Sequence, residues 1–561
     1  MANQNSNLAA ELISVFEGLR SDRSTFNTLC KEVADRVMPD AAKEFDGPAA
    51  SATEGEDNNT YLNIDSTASN ALNRYASIID SSVTPRNSIW SKLTTSNPLL
   101  ANEREVKVFF EDVNTILFKY RYSPRANFAP QNHKVFKTNG AFGNGIMYID
   151  KLDTEPGVRY KSCGLGTIYF TRNHQGIVNG IYRHFKLKAI QAYKKWGELL
   201  PDKIKDKARG TAEAQNTDFE FLHAVRENDD VNPLRIDFKG MAFASYYVSF
   251  EGKALIERGG YRSFPYSISG AISVGDELYD RGPAMEVIAA IRTLNEQKRT
   301  VLKQGHRAVD PVMLTYDDGI ASRFSLRPGA LNSGGMTKDG RPLVGTLPVG
   351  NIAIGKDLMD DERSDIKDAF LVTLYQILTD SPQKTATEVI EDIREKGILL
   401  SPAFSKQEIY LGNLIERELE VLAFQGLVPE LPPVLREAAG EYTIVYDSPF
   451  SRIQKAEDAA GFVRLMGWAT EWANNTQDPS VYDVFNLDVA IPELAEINGV
   501  PFKWLRSPKD IDRIRAQRQQ AAEQHSEVEQ APATAAMINA LSKAKKDAPE
   551  EYDAAAQALA G

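Results

Sequence analysis

Cysteine is scarce in this chain. Only Cys30 and Cys163 occur in 561 residues. They are too few and too far apart for a disulfide framework or a metal cluster of their own, and both are expected to be buried, reduced thiols. The six histidines, His133, His174, His184, His223, His306 and His525, show no His-x-x-x-His or His-Glu-x-x-His spacing. A histidine-built metal site is therefore not expected, and neither is any cofactor. No apolar run reaches about 18 residues and no basic-then-apolar leader opens the chain, so neither a membrane span nor a secretory signal is expected, and folding in the cytoplasm is. Positive charge is in deficit as well: 65 Lys and Arg against 77 Asp and Glu leave a net charge of −12. That balance argues against gripping nucleic acid through a basic surface, though not against a surface along which DNA slides.

Catalytic patterns are also missing. The glycine-spaced Gly140 to Gly145 lacks the Gly-Lys-Ser/Thr ending of a phosphate-binding loop, and Gly355-Lys356 is followed by Asp357. A turn leading into a strand is the simpler reading of Gly140 to Gly145. Asp360-Asp361-Glu362 reads more simply as solvated acids at a helix start than as ligands of a catalytic divalent ion. No Gly-x-Ser-x-Gly elbow occurs. No residue is given a catalytic role, and the chain is not expected to be an enzyme.

What is present is a 42% apolar chain long enough for several cores. The N-terminus from Leu8 to Met38 has a helical stripe (Leu12, Val15, Phe16, Leu19) stopped at Pro39. Asp65-Ser66 offers a cap for a helix carrying Leu72, Tyr75, Ile78 and Ile79. Helices are predicted at about 102–120 and 128–137, then strands at 146–149, 167–171, 177–185, 219–225 and 242–250, with a helix near 187–199 between them. The expectation is an α+β fold, predominantly helical. Further on, helices are predicted to Lys396, at 405–425, 453–473 and 510–530, with one strand at 442–446. The alanine-rich tail from Ala531 lacks the large side chains of an independent core.

The centre of the chain carries the strongest pattern. A helix from Pro283 to Gln304, ending at Gly305, places Met285, Ile288, Ile291, Leu294, Val301 and Leu302 on one face. A second, about Asp357 to Thr379, aligns Leu358, Ile366, Phe370, Leu374 and Leu378 and leaves Arg363, Lys367 and Asp368 for water or a neighbour. Between them, turn residues surround strand-like runs at Val312 to Tyr316 and Phe324 to Arg327. Asp380-Ser381-Pro382-Gln383-Lys384 follows the second helix, and Thr385-Ala386-Thr387-Glu388 fits a capping box in which the Thr385 and Glu388 side chains satisfy each other's backbone. Periodicity alone makes this a helical hairpin with a β excursion.

Longer strings decide more. Asp65-Ser66-Thr67 and Val83-Thr84-Pro85 leading to Trp90, then Gly260-Tyr261 with Phe264-Pro265, and Glu277-Leu278-Tyr279-Asp280-Arg281-Gly282-Pro283, with Leu294-Asn295 and Asp310-Pro311, resemble the head-to-tail connecting (portal) protein family of short-tailed phages. The sharpest match is Tyr446-Asp447-Ser448-Pro449-Phe450-Ser451-Arg452-Ile453-Gln454-Lys455-Ala456, with Asp483, Asn486-Leu487-Asp488, Asn498-Gly499-Val500-Pro501 and Leu505-Arg506-Ser507 after it. Two departures stand out. Ser267-Ile268-Ser269-Gly270 replaces an Arg-Trp pair, and Asp280 stands where glycine is common, which puts local contacts there in doubt.

The resemblance implies a portal-type subunit: a wing at 1–282, a first stem helix at 283–306, a small β-containing clip at 307–356, a second stem helix at 357–379, a tunnel loop at 380–384, long helices returning to the wing at 385–455, a helical crown at 456–530 and a tail at 531–561. It implies a homo-oligomeric ring, normally a dodecamer, at one capsid vertex of the virion, assembled in the host cytoplasm, with double-stranded DNA passing through the centre. Major capsid and scaffolding proteins, terminase and then tail adaptor or nozzle proteins would be partners, and no membrane. On this reading Asp380, Ser381, Pro382, Gln383 and Lys384 line the channel, capped by Thr385 and Glu388, with Gln383 and Lys384 facing DNA. Tyr316, Arg323, Arg327, Lys338 and Arg341 would offer the clip to terminase or adaptor. The alternative is a capsid- or tail-associated structural adaptor without a DNA channel.

Overall fold

The computed structural model describes residues 2–46, 63–86, 89–101, 103–153, 155–228, 231–232, 235, 237–315, 325, 327, 329–331, 336–347, 352–373, 386–437, 442–446, 449–477, 479–497, 500, 504–507, 509–521, 536, 539–540, 542–543 and 546; within the helices Ala386–Phe424 and Pro449–Thr476 the side chains are described from 403 and 459 onward. The chain divides into two compact units, one of residues 1–96 with 109–455 and one of residues 97–108 with 456–561.

The larger unit is built on a five-stranded antiparallel sheet whose strands follow one another in sequence: Ile168–Arg172, Val178–Lys188, Asp218–Glu227, Phe243–Ser249 and Ala254–Tyr261. Short connections make this order the simplest one for antiparallel strands. Both faces are covered. The Ala2–Asp22 helix lays Ala9, Leu12, Ile13 and Phe16 on Tyr169, Tyr182, Leu222 and Tyr246, while Trp196, Leu200 and Ile204 cover Phe219, Phe221 and Tyr247 on the other side. The middle strand therefore reads as a nearly continuous apolar run, because a strand sandwiched between helices has no wet face.

A second sheet pairs Asn144–Lys151 with Val158–Cys163 and with Tyr266–Gly270, all antiparallel. Periodicity did not predict the strands Val158–Cys163, Ala254–Tyr261 or Tyr266–Gly270. Val158, Tyr160 and Cys163 are buried, so a near period-two signal was present but short, and the glycines at 259, 260 and 270 mask the other two. Strand propensity there is supplied by the partner strand. Cys30 and Cys163 are both buried and free, and burial pushes the Cys30 thiol up to about 12 against the opposing charge of Arg23, which leaves it inert.

Gly140 to Gly145 is a helix end rather than a loop. The helix Phe128–Phe142 runs through Gly140 and stops at Gly143, whose φ of 86° is the left-handed conformation that glycine tolerates. A Cβ at Gly140 would lie 2.6 Å from Tyr75 Cδ1, so this glycine sets how closely the helix meets Thr67–Val83. The same stretch then enters the strand at Asn144.

Two predicted boundaries differ. Instead of separate helices to Lys396 and from Ser405, one 39-residue helix, Ala386–Phe424, runs through Ser401-Pro402. An interior proline costs about 3 kcal/mol. Here it is outweighed by the complete burial of Tyr410, Leu411, Leu414 and Ile415. The replaced Arg-Trp position also finds its role in this packing, because Ser267 donates to the Tyr410 carbonyl and Ser269 Oγ lies 2.5 Å from Gln407 Oε1. Asp280 is held too: Ser273 Oγ donates to it at 2.8 Å and Lys406 Nζ at 3.2 Å, while its backbone N–H reaches Asn144.

The smaller unit is mostly helical. Pro449–Thr476 and Leu487–Ile497 are its main described helices, with a further helical stretch at 509–521 that Ser507 caps by accepting from the Asp510 N–H at 3.1 Å. Phe462 meets Phe485 edge-on at 5.8 Å, and Arg104 donates to the Leu505 carbonyl at 2.8 Å.

Candidate functional site

The paired central helices exist with shifted ends. The first is a single turn, Pro283–Glu286, a break at Val287, and then Ile288–Val309. Gly305 does not end it. Glycine inside a helix costs only about 1 kcal/mol, and the next turn, His306 to Val309, continues until Asp310 precedes Pro311. The second helix is Ile352–Ala369, starting earlier than Asp357 and ending where Leu371 takes a φ of 59°. Asp360-Asp361-Glu362 therefore lies in its interior, not at its start. Asp360 is exposed there and accepts from Arg363 at 2.8 Å.

The two helices touch closely. A Cβ on Gly355 would sit 2.7 Å from Val301 Cγ2, so glycine at that point brings the second helix against the first. Their near halves are buried through Ile288, Ile291, Leu294 and Ile366, with Phe370 just past the second helix's end. In their far halves Met359 is buried but one face is open: Leu302 is 46% exposed, Leu358 50% and Ile354 59%. Leu358 was expected on the covered face, and Met359 takes that place.

Asp65 locks the near end. It is 3% exposed and accepts from the Thr67 N–H at 2.8 Å, from Lys298 Nζ on the first helix at 3.1 Å and from Arg363 Nη2 on the second at 2.8 Å. Asn295 completes the joint, its Oδ1 accepting from the Ile64 and Asp65 N–H groups at 2.9 and 3.0 Å. Arg363 thus serves neither water nor a neighbour. Burial works against the Asp65 charge, but the Thr67 hydroxyl, Arg363, the Thr67 N–H and Lys298 outweigh it and hold its pKa well below the usual carboxylate range.

Since the folded pKa lies below the unfolded value of about 3.9, this contribution to stability is complete above about pH 4 and is lost as pH falls below that. Asp65→Asn is expected to cost about 1–3 kcal/mol at pH 7 and to flatten the acid limb of the stability curve. Urea titrations between pH 7 and pH 3 measure both, and an unchanged acid limb would count against Asp65 as the joint.

Beyond the helices lies a two-stranded hairpin, Met313–Thr315 with Val344–Thr346. Ser325 and Arg327 carry no strand, and Val344–Thr346 is a strand that turn composition concealed. Arg327, Lys338 and Arg341 are exposed. Lys338 and Arg341 share a turn in which the Thr337 N–H donates to the Arg341 carbonyl at 2.8 Å and the Arg341 N–H to Thr337 Oγ1 at 3.1 Å. Tyr316, Arg323, Asp380, Ser381, Pro382, Gln383, Lys384 and Thr385 lie outside the described residues, as does the Glu388 side chain.

Periodicity also missed a buried charge cluster. Arg121 and Glu418, each 1% exposed, meet through three hydrogen bonds of 2.6 to 3.1 Å. Tyr160 donates to the same carboxylate, and the guanidinium lies 4.3 Å over the Trp90 ring. Burial opposes the guanidinium's charge and the Glu418 carboxylate more than restores it. This cluster ties the Arg104–Arg121 helix to the Ala386–Phe424 helix and to the Trp90 segment, whose strand Ser91–Thr94 pairs with Thr443–Tyr446. Elsewhere, His223 is buried and neutral, with burial foremost in lowering its pKa, between Tyr266 Oη at 2.8 Å and Ser245 Oγ at 3.0 Å. Among the described residues no cluster of His, Cys, Asp and Glu is placed to hold a metal ion, and no helix is long and apolar enough to cross a membrane.

Comparison with known proteins agrees with the strings. The family model described as bacteriophage head to tail connecting protein matches residues 9–505. The chain is 27% identical over 557 residues to the probable portal protein of Bordetella phage BPP-1, covering 96% of each chain. It is 23% identical over 561 residues to the portal protein of Salmonella phage epsilon15, covering 98% of each.

Proposed function

Since this chain belongs to the bacteriophage head to tail connecting protein family, we propose that this phage portal subunit closes with its copies into a ring, a dodecamer, at one capsid vertex, with double-stranded DNA passing through the centre. The observation that carries the proposal is the open face on the far half of the paired helices. Leu302, Ile354 and Leu358 sit on a face of the far halves that a single subunit leaves half-exposed, while Met359 beside them is buried. Repetition around an axis gives such a surface a partner without a second gene product. The joint at Asp65 then holds the pair at a set angle to the Thr67–Val83 helix, so that every copy presents the same edge.

In this reading residues 1–282 form the wing, the two long helices the stem, and the hairpin with its exposed Arg327, Lys338 and Arg341 the clip that meets terminase during packaging and the tail adaptor afterwards. Residues 385–455 return to the wing, 456–530 form the crown, and capsid and scaffolding proteins surround the wing. Nothing in this role requires a catalytic group or a cofactor. The net charge of −12 repels phosphate and keeps a passing duplex from sticking. Lys384 and Gln383 of the 380–384 loop provide transient contacts.

Negative-stain images of the purified chain test the ring: annular particles with an axial hole are expected. Solid particles would favour an adaptor without a channel, and monomers at every concentration would end the ring reading. Lys384→Glu is expected to reduce DNA retention in packaged heads several-fold. Unchanged retention and genome length would remove the lysine from the channel.

A further inference from the structure

From Ala459 on, where its side chains are described, the helix Pro449–Thr476 has two apolar rows, and among the described residues one of them is covered and the other open. Ala459, Phe462, Met466, Ala469 and Ala473 recur at three- and four-residue steps and form the packed side, where Phe462 meets Phe485. About 100° around the helix, at 3.6 residues per turn, Leu465, Trp468 and Trp472 form a second row. That row is open: Leu465 is 47% exposed, Trp468 68% and Trp472 64%. Solvated helices do not carry two tryptophans one turn apart on an outer face without a partner.

We propose that this row is covered by a second copy of the chain, as a contact of the oligomeric ring, so the inference rests on the ring reading above. The chemistry of the row selects that occupant. Arg464 and Glu471 flank it and cancel, so it offers a polyanion such as DNA no phosphate-neutralising charge and a basic partner no acidic patch. Two copies that each carry −12 repel through their charged surfaces and can meet only where charge is low.

A cyclic assembly also needs two different surfaces on each subunit, because its interface is heterologous. The same unit supplies the second from other elements: Val484 is 82% exposed, Val489 52%, Ile491 55% and Trp504 76%. At roughly 150–250 Å² for each aromatic side chain, Trp468 and Trp472 on one copy and Trp504 on the next each supply the centre, and part of the area, of the roughly 800 Å² that each partner contributes to a standard interface. Tryptophan is moreover the residue type most enriched among side chains that dominate binding.

The test uses the full chain and its intrinsic fluorescence. Acrylamide quenching is compared between assembled rings and subunits dissociated by dilution, and the W468F/W472F variant isolates the signal of these two residues from Trp90, Trp196 and Trp504. The expected result is that the Trp468 and Trp472 contribution is quenched several-fold less in the ring. A Trp468→Arg, Trp472→Arg variant with native far-UV circular dichroism is expected not to close rings. Rings in which both tryptophans are as accessible as in free subunits, or rings formed normally by the arginine variant, would overturn the inference and leave the ring reading standing. Failure of the wild-type chain to form rings at any concentration would overturn both.

Discussion

Glu418→Ala is expected to lower the free energy of unfolding by about 3–5 kcal/mol, the cost of leaving a buried charge without its partner. Arg121 has nowhere to go once the carboxylate is removed. It is 1% exposed, packed over Trp90 and within 3.4 Å of the Ser91 hydroxyl, and among the described residues Glu418 is the carboxylate that meets its charge. Tyr160 would lose its acceptor at the same time. The double variant Arg121→Met, Glu418→Leu should recover most of the loss, because an apolar pair of similar volume removes the desolvation cost along with the attraction. Urea unfolding at pH 7 followed by circular dichroism measures both. A single-variant loss below about 1 kcal/mol would mean that water reaches the pair. The functional consequence lies in geometry: this pair holds the Ala386–Phe424 helix against the Trp90 segment, so its loss should also broaden the transition as the long helix uncouples.

The second large effect is on assembly. Leu302→Glu with Leu358→Glu places a charge on each of the two half-exposed far-end positions, leaving the buried near ends and the Asp65 joint intact. Fully burying a leucine contributes about 1.5–3 kcal/mol; these two are already half covered, so the remaining half of the pair corresponds to roughly one to two powers of ten in association constant. The subunit should stay folded and soluble, while the concentration at which rings appear rises at least about tenfold. Size-exclusion chromatography with light scattering over a dilution series gives the shift. Rings that form at the wild-type concentration would show that the far halves of the helices do not meet a neighbour.

Much of the fold was legible from local pattern. The cap at Asp65-Ser66, the helix stop at Pro39 and the strands from 146 to 250 follow from rules that act within a few residues, and the structure places elements there. Where local rules failed, a distant contact had overruled them. Pro402 did not break the Ala386–Phe424 helix, because the buried face from Tyr410 onward outweighs one lost hydrogen bond. Gly305 did not stop the first long helix for a similar reason of scale, a small propensity cost inside a long cooperative element. The Tyr266–Gly270 strand carries too many small residues to announce itself, and it exists because Asn144–Lys151 pairs with it.

The candidate site was less legible than the fold. Arg363 looked like one more solvated cation on a helix, and only the approach of Asp65, 298 positions away, makes it a joint. Arg121 and Glu418, 297 positions apart, carried no signal at all in sequence. By itself the sequence set expectations from its want of cysteine, histidine spacing, apolar spans and catalytic motifs, and through its ordered strings it pointed to the family that the whole-chain match shows. The tertiary structure alone decided which charges are buried in pairs, which glycines allow close approach and which apolar faces stay uncovered. The reason is range: periodicity and capping act over three or four residues, whereas burial is a property of the folded whole.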